Sequence, residues 1–483
     1  MLFNSISFLI FLPIVYGLYW WIQSWENFKH TITVQNILLL IASYFFYAYW
    51  NIWFLGLLIF STSLDYFSGL KIESSATNQH KKIWFWLSIC INLGLLGLFK
   101  YFNFISINLS ELLGNFGWTY QPILLFIALP IGISFYTFHG LSYVIDIYHD
   151  KIKAEKNILN YSLFVCFFPL LVAGPIERAQ HLIPQLVQRK VFNRAKTING
   201  LQQMLWGFFK KIVIADNCAV FVNQIFSDYE NLNSSSLFIG AIFFSFQIYG
   251  DFSGYTDIAL GAARLFGIEL FNNFSYPYFS KSINEFWKRW HISLTSWFRD
   301  YIYIPMGGNR VNPIRKIINT IFVFLISGFW HGANWTYISW GFLNSIFILP
   351  KTLSQKTQSI DSNKIANKVI GAIKMLFTFL TVSILWVFFR SKTVYDASKY
   401  LQNLVYKWNS ILPDFNGRKS ALVLSVIIFV FMIFEWIGKS YNCPLVFTNS
   451  FKNKWLKWGF YYAIIFSILY FYRGNDQFIY FQF

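Results

Sequence analysis

Two of the seven histidines in this 483-residue chain sit where an imidazole is expensive. His331 ends the apolar run IINTIFVFLISGFW and opens HGANWTYISWG. His291 lies inside KSINEFWKRWHISLTSWFRDYIYIPMGGNR, a basic, tryptophan-rich stretch that begins at Lys281. Ring nitrogens within a bilayer-length apolar segment need partners that lipid cannot supply, so such residues mark function by default. Beside His331, Gly332 and Ala333 permit close backbone approach, and Asn334 supplies an amide. Trp330, Trp335 and Trp340 build apolar walls. A desolvated imidazole stays neutral and can take the proton of a hydroxyl as that oxygen attacks a carbonyl. A buried, hydrogen-bonded structural histidine is the plainer alternative.

The surroundings of His291 favour an anionic ligand. Read as one helix, residues 286, 290, 293, 294 and 297 share an apolar-leaning face, with Lys288, Arg289 and Arg299 spread around it. Arginine and lysine there can hold phosphates while tryptophans such as Trp287 cover an apolar arm. A positive-inside topology signal accounts for the same residues. Upstream, YGDFSGYTDIALGAARLFG carries Asp251, Ser253, Tyr255 and Asp257. Asp251/Tyr255 and Ser253/Asp257 are i,i+4 pairs on neighbouring strips of a helix. Intramembrane carboxylates face a cavity or a cation, so these would orient a histidine or pair with Arg289 or Arg299. A purely structural ion pair stays open. Of the other histidines, His30, His80, His149 and His181 fall in loops and read as solvated. His139, in SFYTFHGLSYVIDIY, reads as a satisfied intramembrane histidine bonded to a neighbouring helix.

The elements that must position these groups are membrane helices. The chain is 56% hydrophobic, 22% aromatic and only 12% charged, against about 25% charged in soluble domains. Apolar segments fall near 3–21, 33–50, 52–70, 83–103, 121–147, 159–176, 201–226, 235–262, 317–350, 370–390, 420–437 and 455–472. They predict an all-α polytopic membrane protein with about ten to twelve transmembrane helices. The 159–176 segment, with Pro169, Gly174 and Pro175, reads as re-entrant, and 317–350 as a broken hairpin. Residues 185–211 mix basic and apolar side chains, as in an interfacial helix, although a solvated basic loop fits too. One membrane-embedded domain accounts for residues 1–483, with a core at about 90–350 and further spans over 370–472. The basic loops Lys71–Lys82, Arg178–Lys211 and Lys281–Lys316 read as cytoplasmic, which places the N-terminus outside.

The net charge of +18 falls between spans and attracts anionic lipid or a phosphorylated ligand. No nucleic-acid module is visible. The four cysteines lack any metal or redox spacing. The N-terminus reads as a retained first span, because it lacks a basic n-region and a cleavage site.

FFPLLVAGPIER (167–178), YGDFSGYTDIALG (249–261), FWKRWHISLTSWFRDYIYIPMGGNR (286–310), ISGFWHGANWTYISWG (326–341) and the ending FIYFQF together resemble the membrane-bound O-acyltransferase family. Within it they are similar to the bacterial alginate O-acetylase branch. The resemblance implies a funnel-shaped helical fold with a central pore, His331 as the catalytic histidine and His291 as the second functional histidine. It also implies donor-binding, substrate-binding or orienting roles among Asp251, Ser253, Tyr255, Asp257, Trp287, Lys288, Arg289, Arg299, Asp300, Asn334, Trp335 and Arg178. The donor would be acetyl-CoA or an acyl-carrier thioester on the cytoplasmic side, with no bound cofactor and no metal. The acceptor would be a cell-surface polysaccharide, and a periplasmic or extracellular acetyltransferase of the serine-esterase type would complete the transfer. The bacterial inner membrane follows as the location. One departure is His139, where related chains more often carry Gln.

Two other readings share these residues. A related branch transfers D-alanine to teichoic acid, although its chains typically lack the spans found here after about residue 390. A transporter of acyl donor or glycan would also use intramembrane histidines and carboxylates, but no repeated half with matching broken helices is visible.

Overall fold

The computed structural model describes residues 1–24, 29–172, 174–353, 364–408, 412–441, 443–474 and 478, with only the backbone of 351–353 and 364–366. Apart from Phe478, the FIYFQF ending therefore lies outside the described residues. Among the described residues, nineteen α-helices follow in order. The first eight are α1 (Ile6–Gln23), α2 (Thr31–Ala48), α3 (Ile52–Ser74), α4 (Asn78–Leu96), α5 (Phe102–Asn115), α6 (Ile133–Tyr148), α7 (Ile158–Cys166) and α8 (Ala179–Leu186). Next come α9 (Arg194–Phe208), α10 (Asp216–Ser227), α11 (Ser234–Leu265), α12 (Ile283–Arg289), α13 (Ile292–Phe298) and α14 (Pro313–His331). The last five are α15 (Trp335–Leu353), α16 (Lys364–Arg390), α17 (Val394–Tyr406), α18 (Arg418–Gly438) and α19 (Lys454–Phe471). Contacts group the chain into two compact units, one of residues 1–201 with 259–271 and one of residues 202–258 with 272–483.

The all-α polytopic architecture holds. Among the described residues, eight helices are long and apolar enough to cross a membrane. Of the remaining apolar segments, 455–472 forms the single helix α19, and three others are built differently, for local reasons. Residues 118–130 are not helical; Pro122 and Pro130 withhold backbone donors, and Gly132, at φ 74°, precedes the start of α6. Past α7, whose last residue is Cys166, the described residues 167–172 and 174–178, which hold Pro169 and Pro175, are not helical, and α8 begins at Ala179. Between α9 and α10 the chain continues as a π-helix, Phe209–Ala215. The broken hairpin over 317–350 is confirmed as α14 and α15.

In the first unit, α3, α4 and α6 enclose a buried carboxylate. Asp65 accepts hydrogen bonds from Ser88 Oγ and Asn92 Nδ2, both at 2.7 Å. In the second unit, the hairpin of α14 and α15 closes through glycine, because a Cβ at Gly328 would meet the carbonyl of Tyr337 and one at Gly341 that of Phe324. Small residues at such contacts let transmembrane helices approach without a hydrophobic driving force.

Candidate active site

His291 and His331 both lie in the second unit, 1% and 4% exposed, with ring centroids 6.5 Å apart. His331 is the last residue of α14. Its ring meets Trp340 of α15 and Phe389 of α16, each at 5.3 Å and nearly edge-on. Gly332 makes room for this, since a Cβ there would strike the Tyr337 ring. Trp386 stacks on Trp340 at 5.1 Å and packs at the same distance against Trp290. The two histidines thus share an aromatic chamber, with Trp330 nearly edge-on to both rings; of the walls expected around His331, Trp330 and Trp340 are in place.

The local backbone around His291 corrects the single-helix reading of 286–297. Two short helices, α12 and α13, meet at His291, which sits at φ 45° and ψ 53°. This left-handed conformation is strained and persists only when neighbours over-determine it. The segment 273–275 does so. Ile292 N donates to the Asn273 carbonyl at 2.9 Å, Ser275 N to the Arg289 carbonyl at 3.0 Å, and Ser293 Oγ to Asn273 Oδ1 at 2.6 Å. Neither ring nitrogen of His291 has a hydrogen-bond partner among the described residues. Burial pushes its imidazole down to about 3. A neutral ring with both nitrogens open is suited to a ligand.

The carboxylate partners also differ from expectation. Asp251 pairs with Lys211 at 2.7 Å and Asp257 with Lys210 at 3.0 Å, while Arg289 pairs with Glu285 and Arg299 with Asp300, each at 2.7 Å. Lys210 also reaches Glu435 at 3.3 Å, and Lys211 reaches Asp216 at 2.7 Å. Both lysines are 4% exposed, not surface members of a basic segment. Lys210, Lys211 and Glu435 escaped the sequence reading, yet the same cost of intramembrane charge that singled out the histidines applies to FFKKIVIAD and FMIFEWIG. Ser253 and Tyr255 are buried on the same helix turns, Tyr255 against Phe478 at 4.8 Å. Asn334 is occupied in capping: its Oδ1 accepts from Thr336 N and its Nδ2 donates to the Lys392 carbonyl, both at 3.0 Å. Trp335 is 54% exposed.

A cavity of about 770 Å³ opens between α12, α13 and α14 and reaches Ile292, the residue after His291, although neither histidine lines it. Lys288, Arg299 and Lys316 bring three cations to it, and Trp287, Ile292 and Phe324 give it an apolar side. Trp287 is held by its indole N–H on Asn344 Oδ1 at 3.2 Å and packs on Trp340, which in turn touches His331.

Arg178 and His139 belong to the first unit. His139 Nε2 accepts from Glu177 N at 2.9 Å, a partner that precedes α8 rather than one on a neighbouring helix. Its buried Nδ1 has no hydrogen-bond partner among the described residues, so the expectation of a satisfied histidine holds only in part. His30, His80 and His149 are exposed as expected, although His80 lies in the first turn of α4 rather than in a loop. His181 is not simply solvated. It pairs with the buried Glu177 at 2.7 Å, stacks on Phe271 at 4.1 Å, and is held above its ordinary range by the Glu177 bond.

A polytopic helical protein with two buried histidines in an aromatic chamber beside a cationic cavity is the class of a membrane acyltransferase. The model of the membrane-bound O-acyltransferase family matches residues 39–390, and the chain belongs to that family. Among curated proteins it is 37% identical over 451 residues to the probable alginate O-acetylase AlgI of Pseudomonas aeruginosa, covering 92% of this chain and 83% of the relative. It is 36% identical over 432 residues to the peptidoglycan O-acetyltransferase of Helicobacter pylori, covering 84% and 80%. Similarity to the teichoic acid D-alanyltransferase of Streptococcus thermophilus is lower, 28% over 293 residues, with 54% and 68% covered.

Proposed function

We propose that this protein is an O-acetyltransferase that takes an acetyl group from a cytoplasmic thioester, acetyl-CoA or an acyl carrier, and passes it on for O-acetylation of a cell-surface or exported polysaccharide. The relatives named as alginate and peptidoglycan acetylases, which cover most of this chain, support this over D-alanyl transfer. The observation that carries the reading is the pair of buried imidazoles 6.5 Å apart beside a cationic cavity.

Lys288, Arg299 and Lys316 hold the anionic end of the donor, and Trp287 covers its arm. The thioester carbonyl lies between the two histidines. His331 takes the proton of the acceptor hydroxyl as its oxygen bonds to the carbonyl carbon. The C–S bond then breaks and the departing thiolate recovers the proton. His291 positions the donor through its open nitrogens. No residue stands out as a covalent nucleophile, so transfer is direct, without an acyl-histidine. The final acceptor is the polysaccharide, reached directly or through an extracytoplasmic serine-esterase-like partner, and the enzyme resides in the bacterial cytoplasmic membrane.

The test is the acetyl ester content of surface glycans from cells carrying wild type, His331→Ala or no copy, with membrane abundance measured alongside. Ester at the no-copy level with the variant still in the membrane is expected. Wild-type ester content in His331→Ala would remove His331 from the chemistry.

A further inference from the structure

Lys210 and Lys211 touch neither histidine, yet both are buried in the same unit. We infer that they are positioning residues for His291, each fixing one aromatic contact of the His291 turn through a carboxylate. This rests on the acyl-transfer reading above.

The π-helical turn explains how two neighbours can both face inward. Successive α-helical side chains diverge by about 100°, and the wider turn of Phe209–Ala215 narrows that angle. Glycines then press this turn against α11. A Cβ on Gly207 would lie 2.6 Å from the Gly254 carbonyl oxygen, one on Gly254 2.7 Å from that of Gly207, and one on Gly250 2.9 Å from that of Lys210. The lysines therefore meet α11 at a fixed height.

Two routes lead from them to His291. Lys211 pairs with Asp251, and the next residue, Phe252, meets the His291 ring edge-on at 4.7 Å. Lys210 pairs with Glu435, which accepts from Tyr249 Oη at 2.5 Å; the Tyr249 ring lies 6.2 Å from Trp290, the residue before His291. Because His291 occupies a strained backbone conformation, its ring direction depends on such outside contacts. Each lysine also has a second carboxylate, Asp216 for Lys211 and Asp257 for Lys210. One link can be cut without leaving a buried cation alone.

That redundancy defines the experiment. Asp251→Asn and Glu435→Gln are isosteric and leave each lysine one carboxylate. Inverted membrane vesicles from the native host, with radiolabelled acetyl-CoA, would give kcat and donor KM for both variants, wild type and His331→Ala. Expected is wild-type abundance, unchanged KM, kcat lower on the order of tenfold, the scale of a small misplacement, and faster modification of His291 by diethyl pyrocarbonate. Wild-type turnover in both variants, with His331→Ala inactive, overturns the positioning role alone and reduces the network to charge balance. A wild type that transfers no acetyl overturns the acyl-transfer reading first. Should either variant fail to accumulate, Phe252→Leu leaves every charge in place and must show the same kcat loss. Wild-type kcat there overturns the proposal.

Discussion

At the scale of single residues, burial decides charge state, and His291 shows it most directly. Desolvation pushes its imidazole down to about 3, whereas an unfolded histidine titrates near 6.5. Between those values the unfolded chain binds more protons than the folded one. Stability is therefore complete above about pH 6.5 and is lost as pH falls, by at most about 1.4 kcal/mol per pH unit from this group. In detergent, His291→Gln is expected to melt with a flatter dependence between pH 6.5 and 4 than wild type. Equal slopes would mean that His291 gains its proton without unfolding. His331 stood out in the sequence because an imidazole in an apolar run is costly wherever the chain takes it, whereas His291, in a basic stretch, was singled out by its cations and tryptophans and by the family resemblance. The distance between them was not legible. The partners of Asp251 and Asp257 were also hidden, since Lys210 and Lys211 lie about forty residues earlier and local spacing carries no record of which cation a carboxylate meets.

At the scale of elements, hydropathy located the helices and missed where they break. The hairpin of α14 and α15 was readable from the length of its apolar segment. The break at His291 was not, because apolar periodicity continues across a residue at φ 45° and the hydrogen bonds that hold it come from Asn273. The prolines at 122 and 130 were visible, but mean apolarity outweighed them in reading 121–147 as one span. Close packing gives an element-scale prediction. Gly328→Val would press its side chain onto the Tyr337 carbonyl and separate the hairpin that carries His331. Overpacking of this kind costs about 1–3 kcal/mol. A lower melting temperature and reduced surface ester are expected. Gly459→Ala, on α19 with no heavy atom within 4 Å of its new Cβ, should match wild type in both measurements. Equal behaviour of the two variants would mean that the hairpin tolerates expansion.

At the scale of the whole molecule, the question is which membrane face each site meets. Positive-inside reasoning places Lys71–Lys82 and Lys281–Lys316 in the cytoplasm and the loop after α5 outside. The cationic cavity draws Lys288, Arg299 and Lys316 from the second of those loops, so donor access and topology are one prediction. In a chain with Cys90, the exposed native cysteine, replaced by alanine, single cysteines at three exposed positions test it. Ala76→Cys and Asn309→Cys should react with a membrane-impermeant maleimide only in inverted vesicles, and Asn115→Cys only in intact spheroplasts. Labelling of Asn309→Cys from outside, with Ala76→Cys still inside, would turn the cationic cavity away from cytoplasmic thioesters. The donor would then have to enter by another path, and Lys288, Arg299 and Lys316 would be left to bind an anion of the outer face.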